Sequence, residues 1–94
     1  MHLMILDKNE TLKQEREKLL EESLELMNAI TSYDIENTIE ETLDVMQVCV
    51  GILDTIEKQE NIDLNKEINR HNRKLLKRGW KTKGNIYIKL IKCS

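Results

Sequence analysis

The sequence is poor in the residues that make turns and sheets. It has no proline, no phenylalanine and 3 glycines among its 94 residues, and aromatic side chains make up 3%. A β-sandwich or β-barrel depends on frequent turn-forming residues, so this composition argues against both. Apolar residues (39%) and charged residues (34%) are abundant instead. That balance is typical of an amphipathic helical protein rather than a disordered one, and it predicts an all-α fold.

Long apolar runs and clustered cysteines are also missing. The apolar start, residues 1–6, has no basic region before it and runs straight into Asp7 and Lys8, which is unlike a secretory signal. No run approaches the ~18 apolar residues of a membrane span. The 2 cysteines, Cys49 and Cys93, are far apart, and we interpret them as free thiols in a reducing compartment. We therefore expect a cytoplasmic protein that does not associate with membranes.

The length predicts one small domain, residues 1–94. A chain of this size buries a limited core, because small domains leave a large share of their surface exposed. Three or four short helices are marginally stable alone. We therefore expect an antiparallel helical bundle whose core is completed by oligomerisation.

Apolar residues at spacings of three and four predict three helices, at about residues 9–31, 35–59 and 63–78. Thr11 with Gln14 fits a capping box, with Asn9 as the alternative N-cap, and Asp34 is a good N-cap for the second helix. Because the loop at Asp34 is short, the first two helices should lie antiparallel. The apolar stripes that we expect to be buried comprise Leu12, Leu19, Leu20, Leu26, Met27 and Ile30 in the first helix and Ile35, Ile39, Leu43, Met46, Val50 and Leu53 in the second.

The second helix has the widest apolar face, so we expect it to be the most buried. Gly51 in its interior costs ~1 kcal/mol relative to alanine and suggests a close contact with another helix. Asp63 is the expected N-cap of the third helix, and Gly79 is the expected residue after its end. The tail, residues 81–94, is left open, since its segment 85–92 fits either a short strand or a helix packed on a partner.

Two acidic groups occur on successive helices. The first helix contains Glu21, Glu22 and Glu25, and the second contains Glu41 and Asp44. A Glu-Glu-x-x-Glu motif alone arises easily on a solvated helix face. The pairs spaced by three residues lie at matching edges of the two apolar faces, however, so antiparallel packing would bring them together. Converging carboxylates need a cation, and oxygen ligands without histidine or cysteine favour Mg2+ over zinc.

The third helix and its end are basic. Residues 1–65 carry 16 acids and 5 bases, whereas residues 66–94 carry 1 acid and 10 bases. His71, Lys74 and Arg78 fall on one stripe that could hold phosphate oxygens, although an exposed basic face explains the same pattern. Trp80 could stack on a base or anchor the chain after the third helix. The segment lacks the interleaved aromatics of a nucleic-acid-binding tail, so we expect no nucleic-acid partner.

These residues together resemble a known group. Glu21-Glu22-x-x-Glu25, a gap of fifteen residues and Glu41-x-x-Asp44 resemble the metal motif of the all-α NTP pyrophosphatase superfamily. Residues 71–80 resemble the basic third helix of short MazG-like proteins, and the likeness covers about residues 10–82. It implies a helical, four-helix-bundle fold in a homodimer or homotetramer. It also implies hydrolysis of a nucleoside triphosphate to monophosphate and pyrophosphate, with Mg2+ (or Mn2+) as cofactor.

The resemblance implies a role for each residue of the motif. Glu22, Glu25, Glu41 and Asp44 would coordinate the metal, and Glu21 would orient or deprotonate the attacking water. Lys74 and Arg78 would bind phosphates, while His71 and Trp80 are further candidates for substrate contact. A phosphoribosyl-ATP pyrophosphohydrolase is a narrower variant. The alternative from a different class is a non-catalytic helical interaction or regulatory module whose acidic face is simply solvated.

Overall fold

A computed structural model describes residues 2–87 as three α-helices joined by short connections. They are α1 (Leu12–Thr31), α2 (Ile35–Glu60) and α3 (Leu64–Lys77). No strand occurs among these residues, so the all-α prediction is confirmed. Residues 80–87 form neither helix nor strand. Residues 88–94 lie outside the described residues, and they include most of the segment 85–92, whose sequence fits either a strand or a helix.

Each helix begins at the predicted capping residue. Thr11 and Gln14 form the capping box, with the Gln14 backbone N–H donating to Thr11 Oγ1 at 3.1 Å and Thr11 N–H donating to Gln14 Oε1 at 2.9 Å. The alternative cap, Asn9, is not used. Asp34 Oδ1 accepts from the Asn37 N–H at 3.1 Å. Asp63 accepts from the third backbone N–H of α3 in the same way. These bonds satisfy amide groups that a helix leaves unpaired at its start.

The ends of α1 and α3 share one turn geometry. Asp34 N–H donates to Ala29 O, and Tyr33, the residue before Asp34, has a positive φ of 53°. After α3, Trp80 N–H donates to Leu75 O, and Gly79 has a φ of 90°, which confirms its predicted place. A left-handed residue closes the last turn in both cases, which suits glycine and strains tyrosine.

The contacts between α1 and α2 define an antiparallel helical hairpin. The chain reverses over Ser32–Asp34, and at the far end of the pair the Thr55 hydroxyl donates to the Glu15 carboxylate. On α1 the buried or half-buried positions include a series with alternating spacing of four and three, at residues 15, 19, 22, 26 and 29. On α2 a similar series lies at residues 38, 41, 45, 48, 52 and 55, and further half-buried positions lie beside it at residues 47, 50, 51, 54, 56 and 57. This is the spacing of helices that cross at a shallow angle, and it brings acidic side chains into the interface.

The face that packs is only partly the predicted one. Some side chains of the predicted apolar stripes are half-buried, namely Leu19, Leu26 and Val50. Others lie outside the packed face, since Leu20, Met27 and Ile39 are 63%, 54% and 59% exposed. Only Ala29 and Val48 are buried apolar side chains among the described residues, so α2 is not a deeply buried helix. The prediction was wrong for these exposed side chains, which lie beside the seam between α1 and α2. The seam itself combines leucine and isoleucine with smaller and polar residues.

The chain divides after Glu60 into two compact units. The first holds the α1–α2 hairpin and a non-helical N-terminal segment, whose Met4 carbonyl accepts from the Gln47 amide of α2 at 2.6 Å. The second holds α3, an amphipathic helix whose Leu64, Ile68 and Leu75 are half-buried. Within residues 2–87, no helix is both long and apolar enough for a membrane crossing.

Candidate metal centre

Three of the predicted acidic side chains converge in the seam of the hairpin. Glu22 comes from α1, and Glu41 and Asp44 come from successive turns of α2. Each offers a carboxylate oxygen, and the three oxygens lie within 4.8 Å of one another. Glu22 and Glu41 are half-buried, while Asp44 is exposed. The cluster therefore has a shielded inner side and one side open to solvent.

Glu25 and Glu21 extend this cluster on α1. Glu25 lies one turn after Glu22, and its carboxyl is within hydrogen-bonding reach of both Glu22 and Glu41 when one of the groups carries a proton. Glu21 is exposed, and its negative charge acts on Glu22. The hairpin thus places every predicted acidic residue at or beside one point. Their roles as ligands or as catalyst stay predictions.

The two half-buried acids hold their protons more tightly than usual. Loss of solvent raises the pKa of Glu22 above 4.5, and the charges of Glu25, Asp44 and Glu21 raise it further. Partial burial also raises the pKa of Glu41, followed by its hydrogen bond with the Glu25 carboxyl and the charges of Glu25, Asp44 and Glu22. Both shifts have the same physical cause, which is negative charge gathered in a poorly solvated place.

The donor atoms of this cluster fit a hard divalent cation. Glu22 Oε2 and Glu41 Oε2 are shielded from solvent and accept no hydrogen bond within the described part of the chain. Such unpaired oxygens are costly unless a proton or a cation satisfies them. All donors are carboxylate oxygens, which Mg2+ prefers, and the exposed side leaves room for water or substrate ligands. The side chains present therefore fit Mg2+ better than zinc.

A second buried carboxylate lies two turns before Glu22 on α1. Glu15 is 3% exposed, accepts the Thr55 hydroxyl bond at one oxygen and leaves Oε2 without a partner among residues 2–87. Gly51 faces it, since a Cβ on Gly51 would lie 3.9 Å from Glu15 Oε2. The close contact expected at Gly51 is therefore with a side chain and not with the backbone of another helix.

The predicted substrate-binding residues lie in the second unit. His71, Lys74 and Arg78 line one shallow groove of α3, together with Glu67, Lys77 and two further arginines. All three side chains are exposed, and Arg78 is the C-cap residue of α3. Trp80 is 69% exposed, so it does not bury itself after α3. Phosphate binding by Lys74 and Arg78 stays a prediction.

Comparison with known proteins supplies the family. A model of the MazG nucleotide pyrophosphohydrolase domain matches residues 10–81. The chain belongs to the MazG family. No curated protein and no solved structure matches the chain. The MazG domain begins just before the Thr11 cap of α1, contains the whole acidic cluster, and ends just after Trp80.

Sequence reasoning missed two features of this MazG domain. The first is the buried Glu15, whose signal was its place seven residues before Glu22, on the same helix face. The second is a polar groove of about 280 Å3 at the turn of the hairpin. Its signal was the polar side chains one turn beyond the acids. The groove is lined by Glu25, Asn28, Ser32, Asp34, Asn37 and Glu41, with the buried Ala29 at its base.

Proposed function

We propose that this MazG domain is a Mg2+-dependent nucleoside triphosphate pyrophosphohydrolase that releases pyrophosphate and a nucleoside monophosphate. The observation that carries the proposal is the convergence of Glu22, Glu41 and Asp44, with two shielded oxygens that lack a hydrogen-bond donor within residues 2–87. Membership of a nucleotide pyrophosphohydrolase family supports the reaction class. A cluster built from carboxylates alone supports Mg2+, with Mn2+ as the closest substitute.

In this proposal Glu22, Glu41 and Asp44 hold the metal, and Glu25 completes the set from the adjacent turn of α1. When bound, Mg2+ neutralises phosphate charge and lowers the pKa of nearby water. The cation would take the place of the proton that partial burial and neighbouring negative charge favour on Glu22 and Glu41.

Glu21 is the proposed catalytic base. It is exposed, its charge acts on Glu22, and it can accept a proton from a water molecule beside the cluster. The water oxygen forms a bond to the α-phosphorus as the bond from that phosphorus to the bridging oxygen breaks. The electron pair leaves with pyrophosphate, and the proton goes to Glu21. Positioning and charge neutralisation supply most of the rate in such phosphoryl chemistry.

The basic stripe of α3 is the proposed phosphate clamp. Lys74 offers a point charge, and Arg78 offers a planar fork suited to two phosphate oxygens. His71 and Trp80 are proposed to contact the substrate beside them. Their exposure supports the proposal, since each side chain is free to meet a ligand.

Pyrophosphate release tests the reaction. The assay uses a panel of ribo- and deoxyribonucleoside triphosphates with Mg2+ and with EDTA. We expect Mg2+-dependent release, loss of turnover in Glu41→Gln and Asp44→Asn, and near-normal turnover in Glu40→Gln, the exposed neighbour of Glu41. Full activity in Glu41→Gln would rule out the metal assignment. If Mg2+ raises neither activity nor thermal stability beyond an ionic-strength control, the chain is a regulatory helical module.

Substrate affinity tests the phosphate clamp. We expect Arg78→Ala to raise KM for the triphosphate several-fold with a smaller effect on kcat, since an Arg–phosphate contact acts mainly in binding. Arg16→Ala, on the exposed side of α1, is the matched control. An unchanged KM in Arg78→Ala would remove Arg78 from the site.

A homodimer or homotetramer is the proposed assembly. The exposed stripe of Leu20, Met27 and Ile39 on the hairpin, set against only two buried apolar side chains among the described residues, supports it. Two hairpins packed through these stripes would make a four-helix bundle. Sedimentation measures the mass, and we expect Met27→Lys to shift it toward the monomer. A wild-type monomer at all concentrations would contradict the assembly. A cytoplasmic location stays a prediction from the sequence.

A further inference from the structure

The groove at the turn of the hairpin continues directly from the acidic cluster. Glu25 and Glu41 line both features. Asn28 lies three residues after Glu25 on α1, and Asn37 lies four residues before Glu41 on α2, so each amide stands one turn beyond an acid. Ser32, the C-cap residue directly after α1, lines the same groove. A ligand held at the cluster can therefore reach these side chains without leaving the hairpin surface.

The groove beyond the proposed metal ligands offers no cationic side chain to the phosphate end of a nucleotide. Glu25 and Glu41 belong to the proposed metal set, and the rest of the lining holds the Asp34 carboxylate and no lysine or arginine from the described part of the chain. A phosphate group placed beyond the metal would meet the negative charge of Asp34, whereas an uncharged group with hydrogen-bonding edges would not be repelled. The volume, about 280 Å3, lies just below the ~300 Å3 at the lower end of small-molecule pockets. It suits a part of a nucleotide rather than the whole molecule.

The neutral polar side chains of the groove are available to a ligand. Within residues 2–87, the side chains of Asn28, Ser32 and Asn37 make no hydrogen bond to another protein group. Asp34, in contrast, is occupied as the N-cap of α2. An asparagine amide presents two donors and an acceptor, which is the complement of a base edge or a ribose hydroxyl pair.

We propose that this groove is the nucleoside subsite, with Asn28 and Asn37 as the residues that determine specificity and Ser32 as a secondary contact. The assignment rests on the proposed function, since it places the base and sugar beside the metal cluster. It directs the neutral half of the substrate toward the turn of the hairpin and the charged half away from it.

The test compares nucleotide with bare polyphosphate. Asn28→Ala and Asn37→Ala both raise helix propensity, so neither threatens the fold. We expect each to raise KM for the preferred nucleoside triphosphate about two- to tenfold, as expected for one neutral hydrogen bond, and to keep kcat. The differences in KM among the nucleoside triphosphates of the panel should become smaller. Calorimetry with Mg2+ and inorganic tripolyphosphate should give the same affinity for wild type and variants, and Asn65→Ala on exposed α3 should match wild type throughout.

Each possible result either supports or overturns the nucleoside subsite. Unchanged KM and ranking in both variants, with an active wild type, would overturn the subsite and leave the proposed function intact. If the variants lose affinity for tripolyphosphate and for nucleotide by the same factor, the subsite is also overturned, because the groove would then act on the phosphate end. If the wild type releases no pyrophosphate, calorimetry with Mg2+ and each nucleoside triphosphate is the readout. Binding that the asparagine variants weaken supports the subsite without catalysis, and no binding overturns both proposals.

Discussion

Replacing Thr55 by valine tests the register of the helical hairpin, on which the acidic cluster depends. The Thr55 hydroxyl is the donor to Glu15, a carboxylate that is 3% exposed and whose other oxygen has no partner in the described residues. Valine has nearly the same shape as threonine but no hydroxyl. The variant therefore removes a hydrogen bond and leaves a carboxylate in the seam with no donor from residues 2–87 at either oxygen.

The expected loss of stability is large for a substitution that replaces a single hydroxyl by a methyl group. A hydrogen bond to a charged group contributes about 1.5–3 kcal/mol, and an unsatisfied buried group adds to its loss. We expect the free energy of unfolding to fall by about 2 kcal/mol, which lowers Tm by about 8–16 °C in a domain of this size. Replacing both partners, as Glu15→Met with Thr55→Val, should recover most of the loss, because an apolar pair of similar volume needs no donor.

Urea unfolding followed by circular dichroism measures these differences. Thr42→Val is the matched control, since Thr42 is exposed on the same helix and donates to the carbonyl of Thr38, at 2.7 Å. We expect the control to stay within about 0.5 kcal/mol of wild type. If Thr55→Val is no more destabilising than Thr42→Val, the Glu15 carboxylate is solvated and α1 and α2 do not pack in this register.

Three further predictions follow from the hairpin. Gly51→Ala should raise the free energy of unfolding by up to about 1 kcal/mol in thermal melts, because alanine favours the helix and the added Cβ would lie at an ordinary contact distance of 3.9 Å from Glu15 Oε2. A lower free energy of unfolding would mean that the packing of α1 on α2 requires a glycine at this position. Tyr33→Gly should also stabilise, by about 1 kcal/mol, because φ at this position is 53°, and a lower midpoint in urea would contradict the strain. In metal-free protein, stability should fall as pH rises from 4.5 through the raised pKa values of Glu22 and Glu41, because the folded state binds more protons than the unfolded state in that window. Glu41→Gln should make the stability depend less steeply on pH. A wild-type stability that rises with pH in this window would refute the raised pKa values.

The parts of the fold that depend on neighbouring residues could be predicted from the sequence. The caps at Thr11, Asp34 and Asp63 are fixed by side chains that bond within three residues, and all three occur as expected. The convergence of Glu22 with Glu41 and Asp44 could also be predicted, because a short turn forces two helices with known spacings to lie antiparallel.

The seam could be predicted only in part, because the apolar side chains of α1 are divided between the packed side and the exposed side. The packed side holds Leu19 and Leu26 together with the charged Glu15 and Glu22, whereas the exposed side carries Leu20 and Met27. Contacts such as Glu15 with Thr55 join residues 40 positions apart and leave no local pattern. The groove at Asn28 and Asn37 has the same origin, since it exists only once the two helices are side by side.

The three-residue turn between α1 and α2 has a consequence for how such a domain can change its substrate. Asp34 is held by its capping bond and Ala29 by its burial, so substitutions at either position lower stability. Asn28 and Ser32 make no side-chain hydrogen bond within residues 2–87, so the fold tolerates their replacement. In the proposed site, substrate preference can therefore change at the C-terminal end of α1 while the acids one turn earlier stay constant. A library restricted to these two positions would change selectivity and leave the acidic cluster in place.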